Sequence, residues 1–168
     1  NLVKTHIFEK EHKGILGGYP LTDINITLLT GGAHNKHTSG GDFREATFRA
    51  LRQGLENTKN ILLEPYYKFT IEIGTDYVGR VMSDISKMSG AFEPPIINEN
   101  TTTTIMGRGP VSKFMDYQLD IISFSKGTGS ISYIFDGYDV CHNTDEVLEA
   151  RGYNKDSDIE YTSNSIFC

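Results

Sequence analysis

The chain lacks any apolar run of about 18 residues, so none of its segments reads as a membrane-crossing helix, and no membrane partner is expected. It also lacks a basic stretch leading into an apolar one, which leaves no legible signal peptide. Cysteine is scarce: Cys141 and Cys168 are the only two. Two distant cysteines supply neither a disulfide framework nor the spacing of a metal motif, and they suit a protein kept reduced in the cytoplasm. Two glycosylation-type triplets, Asn25-Ile26-Thr27 and Asn100-Thr101-Thr102, carry no weight without a secretion signal. An excess of positive charge is missing as well, the formal net charge being −6. The deficit is uneven. Residues 1–136 hold 14 basic and 15 acidic side chains, whereas 137–168 hold 2 and 7. The body is nearly neutral and the tail is acidic, so any contact with RNA has to be local rather than spread over a basic face. No Ser/His/Asp or Cys/His set suited to nucleophilic catalysis stands out. The chain opens on Asn1, and Leu2, Val3, His6, Ile7 and Lys10 follow at helical spacing with no capping residue ahead of them. The expectation is a piece of a longer protein.

What is present reads as alternating elements. A helix end over 1–13 is broken by Gly14, Gly17, Gly18 and Pro20. Residues 21–29 alternate, with Ile24, Ile26 and Leu28 opposite Asp23, Asn25 and Thr27, the pattern of a half-buried strand. A polar, glycine-rich loop spans 30–41, and a helix is predicted from about Asp42 to Asn57 with Phe43, Ala46, Ala50, Leu51 and Leu55 near one face. Phe48 fits no part of that stripe. Pro65 marks a boundary, because proline removes a donor and restricts its predecessor. Three divisions are expected: 1–64, 65–140 and 141–168.

Beyond the boundary the order is β-α-β-β-α-β. Strands are predicted at 66–73, 90–96, 101–108 and 130–136. The helices fall at 76–89, with Val78, Val81, Met82, Ile85 and Met88 aligned, and at 111–124, with Val111, Met115, Leu119 and Ile122 aligned. That order is the ferredoxin-like split βαβ, so the fold class is α+β. A short helix over Asp145–Ala150 and a polar tail expected to be mobile complete the chain.

The loop offers His34, Asn35, Lys36, His37, Thr38 and Ser39. Three readings stand side by side. His34 and His37 could serve a metal-dependent enzyme, but no third ligand lies at useful spacing. The histidines and Lys36 could donate to phosphates, the glycines letting a backbone approach closely. Or the segment is a solvated turn capped by Ser39 or Asp42. Gly107-Arg108-Gly109-Pro110 resembles a phosphate-cradling turn before a helix, but no P-loop lysine-serine follows, and a plain strand-to-helix turn reads as well.

Several of these motifs resemble one family. Leu16-Gly17-Gly18-Tyr19-Pro20 with Asp23-Ile24, Gly31-Gly32-Ala33-His34 and Asp42-Phe43-Arg44 are similar to the fourth domain of elongation factor G. Leu62-Leu63-Glu64-Pro65-Tyr66, Gly79-Arg80-Val81-Met82-Ser83-Asp84-Ile85, Lys126-Gly127-Thr128-Gly129 and Glu149-Ala150-Arg151-Gly152 resemble its fifth domain and end. The likeness spans about residues 10–152. Within the superfamily, Asp42-Phe43-Arg44 and the Leu-Leu-Glu-Pro-Tyr junction look closest to the tetracycline-resistance ribosomal protection proteins. The loop tip departs from that group: it reads His34-Asn35-Lys36-His37 rather than a Tyr-Ser-Pro-Val type. Thr128 stands where the family's turn carries arginine.

The resemblance implies a partial unit like domain 2 of small-subunit ribosomal protein five, followed by the ferredoxin-like fifth domain. It implies a ribosome partner. His34, Asn35, Lys36, His37, Thr38 and Ser39 would meet small-subunit rRNA near the decoding region, and the fifth domain would rest near the GTPase-associated region of the large subunit. Lys126 and Arg108 are further contact candidates. GTP and magnesium would belong to the parent protein, hydrolysis occurring in a separate domain, so this chain is expected to hold no cofactor and to catalyse nothing itself. The parent would assist translation or release tetracycline. A ferredoxin-like small-molecule sensor or scaffold is the alternative. Self-association through an uncovered sheet edge is a further expectation.

Overall fold

The computed structural model describes residues 2–34 and 38–165. These divide into two compact units: residues up to Leu62 together with those from Thr144 onward, and Leu63–Asn143.

The second unit is built around a long strand, β1 (Leu63–Gly74). Its alternation sends Phe69, Ile71 and Ile73 into the interior, while Lys68 and Glu72 face water. This is the antiparallel sheet with one packed and one solvated face. Helix α3 (Val78–Lys87) follows, then two short strands, β2 (Ala91–Phe92) and β3 (Ile96–Ile97), on either side of Pro94 and Pro95. Strand β4 (Thr102–Pro110), helices α4 (Val111–Phe114) and α5 (Tyr117–Phe124), and strand β5 (Ser130–Val140) complete it. The sheet order is β2-β4-β1-β5, with β3 also pairing β4. Every pairing is antiparallel, as the split βαβ requires. Pro65 lies inside β1 rather than ahead of it. Its missing donor coincides with a register shift against β5 between Pro65 and Tyr67.

Helices and sheet close over Phe69, Ile71, Ile73, Val81, Ile85, Ile105, Phe114, Tyr117, Ile121 and Ile131. The rings of Phe69 and Phe114 stack at 4.7 Å between centroids. Tyr133 donates to the Phe114 carbonyl at 2.6 Å, and burial is the main cause that pushes its phenol up to about 12.

Two expectations for this unit are corrected. The stripe Val111, Met115, Leu119, Ile122 is not the buried one: Met115, Leu119 and Ile122 are exposed, and Phe114, Tyr117 and Ile121 are buried. The helix breaks at Met115–Asp116, so the angular phase of α4 does not carry through to α5. The Gly107–Pro110 segment is neither turn nor cradle. It is strand, paired from Gly107 opposite Phe69 to Pro110 opposite Tyr66. Its glycines answer to the core: a Cβ on Gly109 would stand 2.2 Å from the Phe114 ring.

The first unit is looser. Helix α1 (Leu2–Phe8) packs on α2 (Gly40–Glu56). Helix α6 (Thr144–Arg151) belongs to the same unit, Arg151 donating to the Gly17 carbonyl at 3.2 Å. Residues 21–29, expected as a strand, join no sheet among the described residues. An isolated bridge just ahead of them joins Lys13 with Pro20, and the Leu21 amide donates to the His12 carbonyl at 2.7 Å. Alternation creates a face, but a strand also needs a neighbouring strand along its length, and none runs beside 22–29 among the described residues. Ile24, Ile26, Leu28 and Leu29 are therefore exposed. With Phe43 and Leu51 of α2, Ile24, Ile26 and Leu28 line an open groove of about 910 Å³.

The other side of α2 faces the C-terminal tail, which is held rather than loose. Arg52, buried, donates to the Lys13 carbonyl at 2.8 Å and to the Tyr153 hydroxyl at 2.7 Å. Tyr153 donates to Asp158, which also pairs with Lys13, both at 3.1 Å. Burial pushes the Asp158 carboxyl up, but the hydrogen bonds from Lys13 and Tyr153 outweigh it and hold it below its ordinary value. The ammonium groups of Lys10 and Lys13 sit over the Tyr161 ring at 4.3 and 4.5 Å. Phe48, outside the predicted stripe, belongs to this side: Lys10 lies 4.1 Å above its ring and His12 meets it edge-on. The tail's acidity is thus partly neutralised by basic residues near the chain start.

Candidate nucleic-acid interface

The loop ahead of α2 is the segment whose residue types point outward. Asn35, Lys36 and His37 lie outside the described residues. The residues on either side, His34 and Thr38, bond each other. The His34 amide donates to the Thr38 hydroxyl oxygen at 2.8 Å, and the Thr38 amide donates to the His34 carbonyl at 3.0 Å. Ser39 is the N-cap of α2. Its amide and its hydroxyl both donate to Asp42, at 2.7 and 2.9 Å, in a capping-box arrangement. These bonds, the backbone one foremost, hold the Asp42 carboxyl below its ordinary value.

Two physical consequences follow for an anionic partner. The helix terminus attracts negative charge, but Asp42 already occupies it, so a phosphate finds no vacancy there. Contact falls instead to the loop and its glycines. Gly31 and Gly32 have ordinary φ, and a Cβ on either would meet nothing within 4 Å. Neither backbone strain nor internal packing calls for glycine at these positions. Glycine there leaves the backbone open on the side a Cβ would cover.

The other predicted contacts lie in the second unit and differ from each other. Arg108 is already engaged: its Nε meets Asp136 and its Nη1 meets Asp139, both at 2.6 Å, and its guanidinium lies 4.4 Å over the Tyr66 ring. Reaching an RNA phosphate would break two ion pairs. Lys126 is exposed, in a left-handed turn with Gly127 (φ 55° and 82°) after α5. The turn is anchored by the Thr128 hydroxyl on the Ser125 carbonyl (2.7 Å) and the Gly129 amide on the Ser125 hydroxyl (2.8 Å). Its ammonium is presented to solvent on a rigid base. In the metal reading of the loop, His37 is the necessary companion of His34, and it lies outside the described residues.

One cluster escaped the sequence reading: Glu64, Cys141 and His142, brought within reach of one another where β1 begins and β5 ends. The first of them is separated by most of the second unit from the other two, so no local spacing announces them.

With this geometry in place, the comparisons are specific. Residues 1–59 match the model of elongation factor G, domain IV, and residues 61–147 match that of the elongation factor G C-terminus. The chain belongs to the elongation factor G family, as its domain IV and C-terminal region. Neither matched region is the family's GTPase domain. A solved protein of Thermus thermophilus shares the fold with a TM-score of 0.74 at 22% identity. The match covers 90% of this chain and 23% of that one. Among the described residues no helix is long and apolar enough to cross a membrane.

Proposed function

We propose that this chain is the ribosome-docking region of an elongation-factor-G-like GTPase, and that the 30–39 loop is its probing end at small-subunit rRNA near the decoding region. The observation that carries the reading is the pair Gly31–Gly32, which no packing among the described residues requires, close in sequence to His34 and Lys36 in a domain IV match. The second unit, matching the family C-terminus, would rest at the GTPase-associated region of the large subunit, with Lys126 as its solvent-presented cation. Nearly neutral units bind RNA weakly one at a time, so affinity is shared among tethered contacts. GTP and magnesium are handled elsewhere in the parent protein.

Assistance to translation is preferred over tetracycline release. Asp42, Phe43 and Arg44, which resemble the resistance group, have local roles here: Asp42 caps α2, Phe43 lines the groove, and Arg44 pairs with Glu9 at 2.7 Å. They do not bear on a drug.

The test is co-sedimentation of the parent protein with ribosomes and a non-hydrolysable GTP analogue, comparing wild type with Lys36→Ala/His37→Ala and Gly31→Val/Gly32→Val. Both variants are expected to pellet less while melting normally. Unchanged pelleting of both would remove the loop from the interface. A metabolite-dependent melting shift without ribosome binding would favour a sensor domain, and tetracycline displacement by the wild type would favour the resistance reading.

A further inference from the structure

We infer that Glu64, Cys141 and His142 form a binding site for a thiolate-preferring divalent ion of the zinc class. The ligand atoms of the three side chains lie within 4.8 Å of one another. Cys141 is buried at 6% exposure, and the side chains of Glu64 and His142 are 11% and 13% exposed. The pocket is therefore largely dry and its donors are mixed: a thiol, an imidazole and a carboxylate. That set favours zinc over magnesium or calcium, which prefer all-oxygen shells.

The donors are already drawn together. Glu64 Oε1 accepts from the His142 amide at 2.8 Å and meets His142 Nδ1 at 2.6 Å. Glu64 Oε2 receives a long contact, 3.5 Å, from the Ser112 hydroxyl. The Cys141 thiol lies alongside and donates to the Asn143 amide oxygen at 3.5 Å. His142 Nε2 is buried and has no hydrogen-bond partner among the described residues, so it is open to a proton moved from Nδ1.

Binding is balanced in protons. The ion takes Nδ1, a carboxylate oxygen and Sγ; the ring proton moves from Nδ1 to Nε2, and the thiol proton is released to solvent. Affinity consequently falls in acid. Ligands of a tetrahedral zinc stand roughly 3.3 Å apart, so Nδ1 and Oε1 must separate by a few tenths of an ångström to about 0.7 Å, within reach of side-chain rotation. Water supplies the fourth position. The consequence is mechanical: Glu64 lies beside Leu63 and Cys141 follows Val140, and Leu63 pairs with Val140 at the last rung of the β1–β5 ladder. The ion would staple that end of the sheet.

The full chain with Cys168→Ser, in which Cys141 is the sole thiol, is titrated with Co²⁺ and with Zn²⁺ alone. One equivalent is expected to bind, with a thiolate-to-cobalt charge-transfer absorption. Zn²⁺, but not Mg²⁺, should slow alkylation of Cys141 and slow amide exchange at Val140. Adding Cys141→Ser should abolish the charge-transfer band, and His142→Ala should weaken binding by about tenfold or more. If a variant does not fold, the cobalt spectrum and alkylation protection of the parent chain still decide. No stoichiometric binding, or binding without the thiolate signature, overturns the site and leaves a buried Glu–His pair.

Discussion

The two units use the same kinds of pattern and reach different degrees of closure. In the second, every long strand finds a partner within the unit, and the apolar face of the sheet is covered by α3, α4 and α5. In the first, residues 21–29 carry an equally regular alternation, yet Leu29 is 89% exposed and the backbone there pairs with no strand among the described residues. The first unit's order comes instead from polar ties around Arg52 and from cations over aromatic rings. Periodicity thus states which face wants burial, and only the rest of the chain decides whether that burial happens.

The comparison breaks most visibly at Phe114. Phe114→Ala removes a fully buried ring stacked on Phe69, and unfolding measurements should show a loss of ~3–5 kcal/mol in the second unit. Loss of the first unit's structure at the same denaturant concentration would mean that the effect is not confined to the second unit. Arg52→Ala comes next. It removes the donor to the Lys13 carbonyl and one of the two hydrogen bonds of the Tyr153 hydroxyl, and should cost ~1.5–3 kcal/mol in the first unit. Limited proteolysis within 153–165 should accelerate, and an unchanged cutting rate would mean that the tail is held by other contacts.

A smaller effect is expected from Leu28→Lys with Leu29→Lys. Stability should move by no more than about 0.5 kcal/mol, since these side chains are exposed. Light scattering should show the wild-type chain associating with rising concentration through its uncovered apolar stretch, and the double variant remaining smaller. Equal sizes for both would mean that the groove does not attract a second copy. The smallest effect concerns Asp42. Its folded-state carboxyl lies below the ordinary 3.8, so its contribution is fully present above that value and is lost as pH falls through the lower folded one. Amides in the first turn of α2 should lose exchange protection in that acid window, and Asp42→Asn should flatten the dependence.

Much of the second unit was legible beforehand. The order β-α-β-β-α-β, the α3 stripe through Val81 and Ile85, and the long strands all follow from local alternation and spacing. The misreadings share a cause: each needed a distant residue. Gly107 and Gly109 read as a turn because the Phe69 and Phe114 rings that exclude a side chain there are not their neighbours in the turn motif. The stripe on 111–124 assumed an unbroken helix, and the break at Met115–Asp116 shifted the buried set to Phe114, Tyr117 and Ile121. At the candidate interface, the glycine-rich composition of the loop was plain from the sequence. The occupation of the α2 terminus by Asp42, and of Arg108 by Asp136 and Asp139, was not, because hydrogen-bond partners across strands or at caps depend on geometry.

The first unit is assembled from two separated stretches of the chain, with the whole second unit threaded between Leu62 and Thr144. During synthesis, therefore, Arg52 waits for Tyr153 and Asp158 until every residue of the second unit has been made. A chain ending before residue 153 would hold the whole sequence of the second unit while the first still lacked the tie between Arg52 and Tyr153.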